Sequence, residues 1–101
     1  MIIATGTARF GAGEIDRLRD VLRRNIESTR AKDGCERYDY AVDLLDPNLL
    51  RISEIWRDEA AMDAHMATIG EMMAPLADAK IESLEVKAYD ARYLKTVLGD
   101  A

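Results

Sequence analysis

Leu50-Arg-Ile-Ser-Glu54-Ile-Trp56-Arg-Asp58-Glu-Ala-Ala-Met62-Asp-Ala-His65-Met66 decides the fold of this chain, because its side-chain periodicity changes partway through. Residues up to Trp56 read as a strand, whose alternation puts Ile52, Glu54 and Trp56 on one face. Asp58 is then placed to cap a short helix with Ala61, Met62, His65 and Met66 on one stripe. The same stretch holds the only Trp and the only His of the chain, so any chemistry is expected here first.

Working toward the N-terminus, residues 35–44 and 49–57 form two strands around Asp46-Pro47-Asn48, a turn-forming triplet in which Pro fixes φ and its neighbours accept local hydrogen bonds. A hairpin centred near Pro47 sets Asp43 across from Arg51, an opposite-charge pair, Tyr40 across from Glu54 and Tyr38 across from Trp56. Tyr38, Tyr40, Val42, Ile52, Glu54 and Trp56 then share one face. Residues 2–10 read as an earlier strand closed by Gly11 and Gly13. Between them, Ile15, Leu18, Val21, Leu22, Ile26 and Thr29 recur at helical steps opposite a charged face. Gly34 supplies the stop signal.

Toward the C-terminus, Thr68 and Glu71 make a capping-box pattern, so the helix breaks near Thr68 and restarts, with Pro75 disturbing the second piece. Residues 80–89 alternate again as a last strand. A tail, 90–101, keeps Tyr93, Leu94, Val97 and Leu98, which argues that it docks on this chain or on a second copy. The order strand, helix, strand, strand, helix pair, strand is the ferredoxin-like β-α-β-β-α-β arrangement, an α+β fold with a four-stranded antiparallel sheet and helices on one face. One domain is expected over 1–101. Apolar residues on both strand faces, Leu49 and Ile55 as well as Ile52 and Trp56, predict a homodimer joined through the sheets.

Composition narrows the function classes. A net charge of -5 argues against a nucleic-acid footprint. Apolar runs of only a few residues and an N-terminus without signal-peptide character give no membrane role and a cytoplasmic expectation. Cys35 alone makes no intrachain disulfide, and one His without a companion falls short of a metal set.

Each candidate site residue carries two readings. His65 has the one side chain whose ordinary pKa lies near neutrality, so it is a general base or a hydrogen-bonded core histidine. Glu54 on an apolar-looking face needs a partner or a raised pKa, and is the alternative base. Trp56 offers a stacking wall or core packing, Tyr38 and Tyr40 bind a substrate oxygen or simply pack, and Met62 and Met66 adapt to a ligand or fill gaps. A cavity between sheet and helices is expected to gather these side chains, except Glu54, around its walls.

Gly34-Cys-Glu-Arg-Tyr38, then Asp46-Pro47, Glu54-Ile-Trp56 and Ala60 through His65 resemble the antibiotic biosynthesis monooxygenase family of dimeric α+β barrels, with its G, three variable residues, Y, then E-x-W, then a His-bearing helix. The resemblance implies a small-molecule substrate and, in one branch, oxidation of phenols or quinols by molecular oxygen without cofactor. That quinone-forming branch has an Asn four residues before the Trp and a Tyr six after it. This chain has Ile52 and Met62 there. The haem-degrading branch has an Asn on the first strand, a Trp at the position of His65 and a His ten residues on, where this chain has no early Asn, and Pro75. The resulting expectation is a cofactor-independent monooxygenase acting on a small aromatic, quinol or polyketide-like substrate, without metal. The alternatives are an isomerase using His65 and Glu54, or a non-catalytic ligand-binding dimer.

Overall fold

The computed structural model describes residues 1–99. Its elements are β1 (Ile2–Phe10), α1 (Glu14–Arg17), α2 (Arg19–Arg30), β2 (Cys35–Asp43), β3 (Asp46–Trp56), α3 (Glu59–Met66), α4 (Ile69–Met73), a 3-10 turn (Ala74–Leu76) and β4 (Ile81–Asp90). All pairings are antiparallel and the sheet order is β2-β3-β1-β4. Each helical crossover therefore skips one strand, as the ferredoxin-like topology requires.

The hairpin register differs from the sequence expectation by two residues. Tyr38 pairs with Glu54, Tyr40 with Ile52 and Val42 with Leu50. The cause is the turn, which is Leu44-Leu45 between Asp43 and Asp46 and not Asp46-Pro47-Asn48. Asp43 Oδ2 accepts the Leu45 N–H at 2.9 Å and Asp46 Oδ1 accepts the Asn48 N–H at 3.0 Å. Arg9 holds the other Asp46 oxygen at 2.8 Å. Because side chains alternate with a period of two, a two-residue shift leaves every side chain on its expected face. The Asp43–Arg51 ion pair also survives, at 2.8 Å, without the two residues being register partners.

The first helix departs from one continuous run by breaking at Leu18 (φ -97, ψ 8). Its first turn is anchored separately, since Glu14 takes the Arg17 guanidinium at 2.8 Å and the Lys80 N–H at 3.0 Å. Leu18 itself packs into the core. Asp58 caps α3 as expected, its Oδ1 accepting the Ala61 N–H at 2.9 Å. The break at Thr68 is also present, but no capping box forms there. The Thr68 hydroxyl donates back to the His65 carbonyl at 2.8 Å, so it does not serve α4.

Inward side chains of β1, β2 and β3 meet the helices in two clusters. One joins Ala8, Phe10, Leu50 and Ile52 to Ile15, Leu18, Leu22 and Leu76. The other joins Ile2, Tyr38 and Trp56 to Ala61 and Met72. Burial of such side chains at roughly 25 cal/mol per Å² of apolar surface is the main force holding helices to sheet. Gly34 allows the second cluster to close. Its φ of +80 belongs to the left-handed region, and a Cβ there would lie 2.5 Å from that of Ala61.

On the opposite sheet face Tyr89, Ile3 and Ile55 fall in one register row across three strands. Residues 91–99 carry no helix or strand, and Tyr93, Leu94, Val97 and Leu98 are exposed. The tail's apolar side chains thus find no cover within one chain, and the last two positions of the expected tail lie outside the described residues. No helix among the described residues is long and apolar enough to cross a membrane.

Candidate functional site

The end of the sheet where β3 runs into α3 gathers most of the residues singled out from sequence. Trp56 is fully buried, and the His65 ring stacks on it with centroids 4.9 Å apart and planes 26° from parallel. Tyr38 meets His65 edge-on at 5.5 Å and Tyr40 at 5.2 Å. The two phenol oxygens are hydrogen-bonded at 2.7 Å. Glu54, also buried, accepts the indole N–H of Trp56 at 2.9 Å, which answers the need of a buried carboxyl for a partner.

Two of the expected residues stand apart. Met66 is about half exposed, on the side of α3 away from this cluster. Met62 is half-buried at the margin of the cluster of Ile2, Tyr38, Trp56, Ala61 and Met72, as packing. The expected cavity does not open between Trp56 and His65, whose rings stack on each other; His65 instead lines a cleft with Lys32 and Thr68 at the solvent side of α3. Gaps between sheet and helices lie further along, one of about 40 Å³ beside Tyr40, Ile52, Leu22 and Leu76 and one of about 100 Å³ beside Tyr40, Val42, Leu50 and Ile26.

His65 does not titrate near neutrality as its type suggests. Burial, reinforced by the nearby Lys32 charge, lowers its pKa to about 4. Lys32 Nζ donates to His65 Nδ1 at 2.8 Å and to the Thr68 hydroxyl at 2.7 Å. A lysine ammonium has no lone pair, so Nδ1 must be the acceptor and Nε2 carries the proton of the neutral ring. The imidazole is therefore held as one tautomer with one lone pair already engaged.

The carboxyl and phenols shift the other way. Burial pushes Glu54 above the usual carboxylate range, against the lowering effect of its Trp56 hydrogen bond. Burial likewise raises Tyr38 and Tyr40, and the nearby Glu54 charge adds to both shifts. Desolvation disfavours each charged form, which makes ionised Glu54 a stronger base than a surface glutamate.

Sequence reasoning missed Lys32 and Thr68. Lys32 sits in the turn after α2, 33 positions from His65, and no periodicity or spacing pattern announces that contact. Met72 is also part of the setting. Its sulfur lies 3.7 Å from the Thr29 hydroxyl and its carbonyl accepts from Asn25 Nδ2 at 3.2 Å, fixing α4 on α2. Among the described residues no three His, Cys, Asp or Glu side chains gather as a metal cage.

The topology and this inward cluster define a ferredoxin-like α+β domain with a polar-aromatic patch under its helices. The family model described as antibiotic biosynthesis monooxygenase matches residues 1–70, and the chain belongs to that family. A Deinococcus radiodurans structure named for the same family is 30% identical, with a TM-score of 0.89, over 98% of this chain and 100% of that one. A second structure, named simply antibiotic biosynthesis monooxygenase, is 27% identical with a TM-score of 0.80, over 92% and 100%. A conserved protein from Methanosarcina mazei, 22% identical, shares the fold at a TM-score of 0.80 over 90% and 92%. Among curated proteins none matches.

Proposed function

We propose that this chain is a cofactor-independent monooxygenase acting on a small phenolic or quinol substrate. The observation that carries the reading is a buried, raised-pKa carboxyl, Glu54, opposite Tyr38 in the sheet and next to Trp56, in a member of this family. In this mechanism the substrate supplies the electrons. Glu54 accepts the phenolic proton, and the anion passes one electron to molecular oxygen. The radical pair joins as a carbon-bound peroxide, whose O–O bond then breaks with one oxygen kept as the product carbonyl and the other leaving as water. The apolar surroundings shield the intermediates. The Tyr38–Tyr40 hydroxyl pair orients the substrate oxygen, and Trp56, whose ring is covered by His65, fixes the Glu54 carboxyl through its N–H.

His65 enters this mechanism as the group that holds Trp56 and Tyr38 in place, since its Nδ1 lone pair is engaged by Lys32. The gap of about 40 Å³ bounded by Tyr40, Met73 and Leu76 is smaller than a phenol ring, so a substrate seated there displaces α4 and the 3-10 turn outward. That tight packing also favours the second reading, a ligand-binding dimer without turnover. The exposed apolar tail and the Tyr89–Ile3–Ile55 row support self-association through the open sheet face.

Oxygen consumption with a panel of hydroquinones and anthrone-type phenols tests the proposal. Turnover by the native chain should fall about 10²-fold in Glu54→Gln, which keeps an acceptor for the Trp56 N–H. Loss on His65→Ala with full activity in Glu54→Gln returns the base role to His65. Ligand binding without oxygen uptake selects the non-catalytic reading.

A further inference from the structure

Between the turn that follows α2 and the solvent side of α3 lies a cleft of about 410 Å³, within the size range of small-ligand sites. Ala60, Ala61 and Ala64 supply an apolar floor, Lys32, Arg57 and Thr68 stand around it, and the Asp33 carboxylate and an edge of His65 complete the lining. The two cations differ in an informative way. Arg57 is already neutralised, its guanidinium donating to both Asp33 oxygens at 3.2 and 3.1 Å and to Asp58 at 3.3 Å.

Lys32 has no such partner. Its Nζ contacts His65 Nδ1 at 2.8 Å, the Thr68 hydroxyl at 2.7 Å and the Met72 sulfur at 3.8 Å, all uncharged. Among the described residues no carboxylate lies within ion-pairing distance of it. A partly buried ammonium compensated only by neutral acceptors is costly, and an anion arriving from solvent relieves that cost. Burial accordingly lowers the Lys32 pKa, with Cys35 and Glu71 as the nearby groups that oppose the shift.

We propose that this cleft binds a small organic carboxylate, with the carboxylate group on Lys32 Nζ and the apolar body on Ala60, Ala61 and Ala64. The cleft meets the monooxygenase site only at His65, and none of Glu54, Tyr38 or Tyr40 lines it, so benzoate binding is read separately from oxygen turnover. Occupancy also reaches His65. A carboxylate on Nζ offsets the positive field of Lys32 and competes for its hydrogen bonds, so the imidazole becomes easier to protonate. Tyr38 and Trp56 are the aromatic rings against that imidazole.

Sodium benzoate titrated at constant ionic strength tests the site, with the ring signals of the sole histidine followed by NMR and Trp56 emission followed in parallel. The expected result is saturable binding that moves the His65 resonances and raises the ring's titration midpoint. Lys32→Met should weaken binding at least tenfold. Ala64→Leu, an exposed helix position with little risk to the fold, should do the same by filling the cleft. No saturable shift at millimolar benzoate overturns the proposal, and so does unchanged affinity in Ala64→Leu, whatever Lys32→Met does to folding.

Discussion

Acidification from pH 7 to pH 4 should cost this protein about 3 kcal/mol of folding stability at His65 alone. The ring titrates at about 4 when folded, against 6.5 as its ordinary value. At about 1.36 kcal/mol per pKa unit the difference amounts to about 3 kcal/mol. The unfolded chain takes up the proton first, so the contribution is whole above pH 6.5 and declines as pH falls toward 4. Glu54 acts with the opposite sign. Its raised folded value means the native state holds that proton more tightly, adding stability as pH falls through it toward the unfolded carboxyl range.

Subtraction separates the two contributions. Urea denaturation of the native chain and of His65→Gln, at one protein concentration and at several pH values, gives two curves whose separation isolates His65. Glu54 is common to both, as are the lowered carboxylates Asp33, Asp43, Asp46 and Asp58, which lose their contribution only below about pH 4. The separation should shrink by about 3 kcal/mol between pH 7 and pH 4. Parallel curves, or a folded-state imidazole that titrates near 6.5 by NMR, would refute the reasoning.

Other outcomes follow from the backbone and the tail. Gly34→Ala combines left-handed strain of about 1–2 kcal/mol with a clash against Ala61 worth about 1–3 kcal/mol. Gly13→Ala meets nothing within 4 Å and should show only the strain, so equal urea midpoints for the two variants would mean that space at Gly34 is not limiting. Deleting residues 91–101 should weaken self-association in sedimentation at micromolar concentration. An unchanged association constant would make the tail a frayed end.

Much of the fold was legible because it rests on local periodicity. Alternation around Tyr38–Val42 and Ile52–Trp56 assigns faces correctly even though the turn was misplaced, since an error of two residues leaves the parity intact. Leu44-Leu45 was unreadable as a turn because neither residue has turn chemistry; Asp43 and Asp46 on either side supply it. At the candidate site, the proximity of Trp56, His65, Tyr38 and Tyr40 could be deduced from strand alternation and helical spacing, although the expected register was two residues off. The state of His65 could not. It depends on Lys32, brought in from the end of α2 by tertiary packing, and on a burial that no single-residue property reveals.

The sheet order imposes a sequence of events on synthesis. β1 leaves the ribosome before the other strands of the sheet, yet it lies inside it, and its neighbours β3 and β4 are complete only at Trp56 and Asp90. Until Ile81–Asp90 emerges, one side of Ile2–Phe10 keeps its row of peptide groups without strand partners, an edge able to recruit another chain. The last strand closes that edge, and the Ala91 N–H reaches the Met1 carbonyl at 2.9 Å as it does so. A nascent chain that exposes α3 before Ile81–Asp90 is thus the species most exposed to aggregation, and it stays so until those ten residues pair with β1.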